Sequence, residues 1–218
     1  TLQIYDLVDI ICCLFMKTFF VDKRLGGCLI YLLIASYFIG SISSAVIICK
    51  ILGLPDPRTQ GSKNPGATNV LRLGGKKIAA FVLTFDGLKG AVPVFIGVYY
   101  GFGLTALTLT ALCAFLGHVY PVFFRFRGGK GVATYIGGLV AINFLAGLIF
   151  SIIWLLVAKV IKISSISALI ATALSPFYFY LITGDMGSTL IIGVISLLIF
   201  YTHRDNIKRL INKEEDVI

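Results

Sequence analysis

Apolar runs separated by short polar segments set the pattern of the chain. The first clear run covers 27–48 and ends at Cys49 and Lys50; a stretch rich in Gly, Pro, Asn and Arg follows over 54–77. The next run, 78–100, contains Asp86 and Lys89, and a Gly101-Phe102-Gly103 turn leads to a third over 104–124. Beyond the basic segment 125–130 come two apolar pieces, 131–144 and 145–161, then 166–182 and 188–201, and finally a charged tail. A bilayer crossing by a helix takes about 20 apolar residues, so these runs predict an all-α, polytopic membrane protein with about seven transmembrane helices, several of them short. The piece 131–144 reaches only about 20 Å at about 1.5 Å per residue and must pack on neighbours or thin the bilayer.

Composition strengthens this reading. Of 218 residues 58% are hydrophobic and 13% charged, and the mean hydropathy is +0.96. A soluble domain carries about a quarter charged residues, which excludes disorder and argues against a water-soluble globule. The five cysteines (12, 13, 28, 49 and 113) lie in apolar runs without metal-type spacing and read as small hydrophobes. With two histidines and no cysteine or carboxylate cluster, no metal site is expected.

The net charge of +9 would point to nucleic acid in a soluble protein; here its placement is what informs. If Lys50 marks the cytoplasmic end of the first span, 15 of the 19 Lys and Arg fall in cytoplasmic loops and the opposite loops hold none. That asymmetry obeys the positive-inside rule and predicts a cytoplasmic C-terminus. The chain divides into an N-terminal extension (1–26), a transmembrane domain (27–203) and a cytoplasmic tail (204–218). Residues 8–21 are too short for a span and lack signal-peptide features, so an interfacial helix is expected there, with Lys23 and Arg24 on the outer side against the rule.

Three polar motifs fall on the cytoplasmic side. The first, Gly61-Ser62-Lys63-Asn64-Pro65-Gly66-Ala67-Thr68-Asn69 with Arg72, combines small residues, which let backbone N–H groups cradle an anion, with hydroxyls, amides and a guanidinium suited to phosphate. The same residues also favour an ordinary surface turn. Walker spacing is absent, so nucleotide binding is not supported. The second, Gly117-His118-Val119-Tyr120-Pro121 followed by Arg127-Gly128-Gly129-Lys130-Gly131, places Lys130 before a predicted helix start, where anions gather. Lys130 then reads either as a phosphate ligand or as a basic membrane anchor, and His118 either as a hydrogen-bonded core histidine or as a catalyst. In the third, His203-Arg204-Asp205-Asn206, His203 and Asn206 share a helix face and could accept a proton and orient a substrate; a lipid-attracting juxtamembrane tail is the other reading. Asp86 and Lys89, three apart within a span, are expected to form an ion pair facing the interior. A phosphorylated small molecule meeting a lipid-like partner fits this set of loops.

The chain resembles the bacterial acyl-phosphate:glycerol-3-phosphate acyltransferases of the PlsY type. The resemblance runs in order over about 28–213: Gly40-Ser41-Ile42-Ser43-Ser44, GSKNPGATNVLR (61–72), FDGLKG (85–90), GHVYPVFFRFRGGKGVAT (117–134) and HRDNIKRL (203–210). It implies a seven-helix enzyme of the bacterial inner membrane with its active site facing the cytoplasm. That enzyme moves a fatty acyl group from acyl phosphate to the 1-hydroxyl of glycerol 3-phosphate, giving lysophosphatidic acid and phosphate, the first acylation of phospholipid synthesis. By resemblance Ser62, His203 and Asn206 are catalytic and Arg72 and Lys130 bind substrate phosphate. Asn64, Thr68, Asn69, Gly128, Gly129 and Gly131 match the phosphate-binding loops, and His118 is grouped with them. The expected partners are glycerol 3-phosphate, acyl phosphate and membrane lipids, without cofactor, metal or nucleic acid. Two features depart from the pattern: Lys63 stands where the family often has Gly, and the segment before Cys28 has no counterpart at the usual family start.

Acyl phosphate is a mixed anhydride with a good leaving group, so no covalent nucleophile is required; neutralised phosphate charge and aligned hydroxyl and carbonyl suffice. His203 positions the acceptor or acts as a weak base, and a phosphate oxygen of the substrate is an equal candidate for the proton. The rival from another class is a membrane transporter of a small organic phosphate, which calls for polar groups through the membrane depth or inverted repeats. Only Asp86 and Lys89 lie deep, and no repeat is visible. Acyltransferases with Asp five residues after a catalytic His are excluded, because positions 123 and 208 are Phe and Lys.

Overall fold

A computed structural model describes residues 23–215, and every regular element among them is helical. The order is α1 (Lys23–Gly40), α2 (Ser44–Ile51), α3 (Ala67–Tyr99), α4 (Leu104–Val119), a 3-10 turn (Val122–Phe124), α5 (Val132–Ile142), α6 (Phe144–Ile161), α7 (Ser164–Thr183), α8 (Met186–Thr202) and α9 (Arg204–Ile211). Five segments are long and apolar enough to cross a membrane, with α1 and α2 together forming one. The α8–α9 pair, bent by 56°, makes a sixth if taken as one span, while α5 is apolar but has only 11 residues. Seven is reached by counting α5 as well. The interfacial helix expected over 8–21 lies outside the described residues.

Local chemistry explains where the helices depart from the apolar runs. The run 27–48 is broken over 41–43, where Ser41 and Ser43 interrupt it, and the chain restarts as α2. α3 begins eleven residues ahead of the apolar run, at Ala67, because Ala67 and the buried Val70 pack with Ala45 and Cys49 of α2 and with Val82 further along α3. It kinks at Gly75, whose φ of 80° a side chain would resist. Between α5 and α6 the Asn143 side chain accepts from the backbone N–H of Ala146, an N-cap that starts a new helix within a nearly unbroken apolar stretch.

α4 lies among α1, α3, α5 and α8, and the short α5 is clasped between α3 and α6. The main core joins α4 to α8 through Phe115, Tyr135, Leu139, Phe150, Phe179, Ile192, Ile195 and Ile199, all buried. α3 and α5 approach to backbone contact: a Cβ on Gly137 would overlap the carbonyl oxygen of Gly87. Close packing by small residues supplies helix association where lipid removes the hydrophobic drive. The expected ion pair forms, with Lys89 Nζ 2.9 Å from Asp86 Oδ1 and both side chains buried.

Candidate active site

The polar motifs meet at one end of the bundle. The loop between α2 and α3 is organised by Asn69, which is 1% exposed. Its Oδ1 accepts from the Ser62 backbone N–H (3.0 Å), and its Nδ2 donates to the carbonyls of Pro57 (2.9 Å) and Gln60 (3.0 Å). Arg58 grips Asp56 with two nitrogens, at 3.0 and 2.7 Å, and holds that carboxyl below the usual range. The turn so formed presents Ser62, Asn64, Thr68 and Arg72 to a cavity of about 420 Å3.

The loop from α4 to α5 delivers Lys130, and the α8–α9 bend delivers His203 and Asn206. Lys130 Nζ donates to Asn206 Oδ1, and Thr202 Oγ1 donates to the Lys130 carbonyl at 3.2 Å, joining the two segments. His203 is the residue at which the chain turns from α8 into α9. Its Nδ1 lies 2.8 Å from the Ile199 carbonyl, which can only accept; the neutral ring therefore carries its hydrogen on Nδ1 and keeps an acceptor lone pair on Nε2.

Ser62, Asn64, Thr68, Arg72, His118, Lys130, Gly131, His203 and Asn206 all line this cavity. Gly128 and Gly129 line an adjoining cavity of about 490 Å3, which shares Ser62, Asn64, Lys130, Asn206 and Arg209 with the first. Asn69 lines neither; its amide is spent inside the turn.

Sequence reasoning missed Ser165 and Glu215, and it gave Arg209 no part in the site. Past α9 the chain folds back so that Glu215 accepts from Ser165 Oγ (2.8 Å), Asn206 Nδ2 and Arg209 Nε (2.7 Å). Partial burial opposes ionisation of this carboxyl, but the three hydrogen bonds and the Arg209 charge outweigh it and lower its pKa. A boundary between 203 and 204 would therefore cut the site in two. The tail 204–218 carries four acidic and four basic residues, so its composition does not single out Glu215, and periodicity does not encode a chain reversal.

Burial pushes the Lys130 ammonium down to about 8; Glu215 and Asp205 counter this, while Arg209 and Arg72 reinforce it. Below the polar end the cavity wall becomes apolar, with Leu83, Val132, Ile136, Trp154, Leu155 and Ala168. One cavity thus joins cations and hydrogen-bonding groups to a wall compatible with an alkyl chain.

The family described as Glycerol-3-phosphate acyltransferase matches residues 30–213. A glycerol-3-phosphate acyltransferase of Ruthia magnifica subsp. Calyptogena magnifica is 61% identical over 189 residues, 87% of this chain and 96% of that protein. One from Hydrogenovibrio crunogenus (strain DSM 25203 / XCL-2) is 51% identical over 184 residues, 84% of this chain and 88% of the other. The crystal structure of PlsY (YgiH), an integral membrane glycerol 3-phosphate acyltransferase, in its glycerol 3-phosphate form is similar with a TM-score of 0.84 at 38% identity, covering 88% of this chain and 96% of that one. The lysophosphatidic acid form gives 0.81 at 36% identity, covering 88% and 95%.

Proposed function

This chain belongs to the glycerol-3-phosphate acyltransferase family, and from that premise we propose how its cavity carries out the transfer. The protein is an integral membrane acyltransferase that moves a fatty acyl group from acyl phosphate to the 1-hydroxyl of glycerol 3-phosphate. Lysophosphatidic acid and inorganic phosphate are the products. The observation that carries the site assignment is the convergence of Ser62, Arg72, Lys130, His203 and Asn206, from three distant segments, on a cavity with an apolar wall.

In the reaction the hydroxyl oxygen forms a bond to the acyl carbonyl carbon, and the carbonyl carbon–phosphate oxygen bond breaks. Arg72 and Lys130, with Arg209 beside them, offset the charge of two phosphate groups that would otherwise repel. Ser62, Thr68 and Asn206 supply hydrogen bonds that hold hydroxyl and carbonyl in line, which is where an effectively intramolecular reaction gains most. The Nε2 lone pair of His203 receives the hydrogen bond of the attacking hydroxyl; a phosphate oxygen of the substrate is the second acceptor for that proton. No residue needs to carry the acyl group, because the anhydride is already activated. The apolar wall receives the acyl chain directly from the bilayer. The concentration of cations at the site end supports a cytoplasmic orientation in the inner membrane.

Purified protein in detergent, given palmitoyl phosphate and glycerol 3-phosphate, should release phosphate and lysophosphatidic acid in equal amounts. Palmitoyl-CoA in place of the acyl phosphate should give neither. Equal turnover with the thioester would refute the donor assignment, and no turnover with either donor would refute the reaction.

A further inference from the structure

Below the catalytic loops lies a buried polar cluster that the reaction itself does not use. Asp86 Oδ1 accepts from Ser44 Oγ and from Lys89 Nζ, each at 2.9 Å, and Lys89 Nζ also donates to the Ile42 carbonyl at 2.8 Å. The cluster therefore pins the α1–α2 break to α3. Beside it stands His118 of α4, 6% exposed, with Nδ1 3.8 Å from Asp86 Oδ1 and without a hydrogen-bond partner. That separation is too long for a hydrogen bond, yet in a buried setting the carboxylate still orients the imidazole dipole.

The other side of His118 faces the loop that carries Lys130. The Gly129 backbone N–H donates to the His118 carbonyl at 3.1 Å. A Cβ on Gly129 would overlap the ring at Nε2 and come within 2.9 Å of Cε1, whereas a Cβ on Gly128 would overlap the backbone carbonyl oxygen of His118. Gly129 is not among the residues with positive φ, so its backbone accepts alanine and only the imidazole stands in the way.

We propose that His118, backed by Asp86 and Lys89, is a positioning residue: its ring is the seat on which loop 128–131 rests, and it sets the placement of Lys130 in the cavity. One ring nitrogen faces Gly129 and the other faces Asp86, so the imidazole acts through the loop and not on the substrate. The inference rests on the acyl-transfer reading above and adds a residue whose role in it was open from sequence.

A mutant cycle tests the seat through a rescue that a merely structural role does not produce. Gly129→Ala lifts the loop off the ring and should lower kcat/KM for glycerol 3-phosphate by about 100-fold, the scale of an ångström-sized displacement. Combining it with His118→Ala removes the obstruction and should restore about tenfold of that loss, a coupling typical of residues in contact. Gly128→Ala meets backbone, so His118→Ala should give it no recovery. Melting temperature in detergent is followed for every variant. Should His118→Ala not yield folded protein, His118→Asn serves the same cycle, since it vacates the Nε2 position and keeps a side-chain N–H for Asp86. A double variant no better than Gly129→Ala, or equal rescue at Gly128 and Gly129, overturns the seat. Failure of the unmutated protein to use palmitoyl phosphate and glycerol 3-phosphate overturns the reaction assignment instead, so the two failures are told apart.

Discussion

Between pH 7 and pH 9, kcat/KM for glycerol 3-phosphate should fall by about tenfold, because the Lys130 ammonium loses its proton in that interval. Burial lowers this lysine from the ordinary amine range to about 8. A lysine is charged below its pKa and neutral above it. With a value near 8, about nine-tenths of the free enzyme holds the cation at pH 7 and about one-tenth at pH 9. kcat/KM reports the free enzyme, so the falling limb belongs to the empty site, before substrate phosphate has stabilised the charge. The substrate's second phosphate ionisation, near pH ~6, has ended well below this window. Two variants identify the group. Lys130→Arg stays protonated throughout and should abolish the limb, at whatever lower activity its different shape permits. Glu215→Gln removes a carboxylate that holds the lysine's pKa up and should move the limb to lower pH. The assay is initial phosphate release with palmitoyl phosphate and glycerol 3-phosphate both well below saturation, so that the empty enzyme is the reference state, and with spontaneous hydrolysis subtracted at each pH. A flat profile to pH 9, or an identical limb in Lys130→Arg, would refute the reasoning.

Three further substitutions test other parts of the structure. Lys63 sits at φ 57°, a left-handed conformation that costs a side chain about 1–2 kcal/mol; glycine relieves this but orders more backbone on folding. Lys63→Gly should therefore raise the melting temperature in detergent by about 2 °C, and a fall would contradict the strain. Gly137→Ala forces a methyl group into the Gly87 carbonyl, with backbone on both sides, and should lower the melting temperature by about 5 °C or more; no change would mean that α3 and α5 separate freely. Asn206→Ala removes the amide that links Lys130 to Glu215 and should cost about 1–3 kcal/mol, or about 5–150-fold in kcat/KM, with activity within twofold of the original arguing against the link.

The helices were legible where apolar runs are long, because lipid demands internal backbone pairing and rewards uniform side chains. Their breaks were less so. The interruption over 41–43 contains two of the four serines in the run 27–48, and serine raises no alarm inside a span when its hydroxyl can bond a carbonyl one turn back. Ser41 does this, its Oγ donating to the Tyr37 carbonyl at 2.8 Å. The first turns of α3 hid in a stretch whose Gly, Asn and Arg content reads as loop, and the helix there tolerates Gly75 only by kinking. The site loops stood out through their chemistry, but residue types did not separate ligands from scaffold. Asn64 and Asn69 look alike in the motif, yet one lines the cavity and the other holds the turn from within. Glu215 was out of reach because its partners are fixed only once α9 has turned at His203.

The order in which the cavity walls occur along the chain bears on its biogenesis. Ser62 and Arg72 are laid down early, Lys130 midway, and Asn206, Arg209 and Glu215 only after α8. A chain that stops short of α9 has its apolar helices but lacks Asn206, Arg209 and Glu215, so one wall of the hollow that would hold the acyl donor is missing. Premature termination between the end of α8 and Asn206 would leave the apolar helices in place without a finished site.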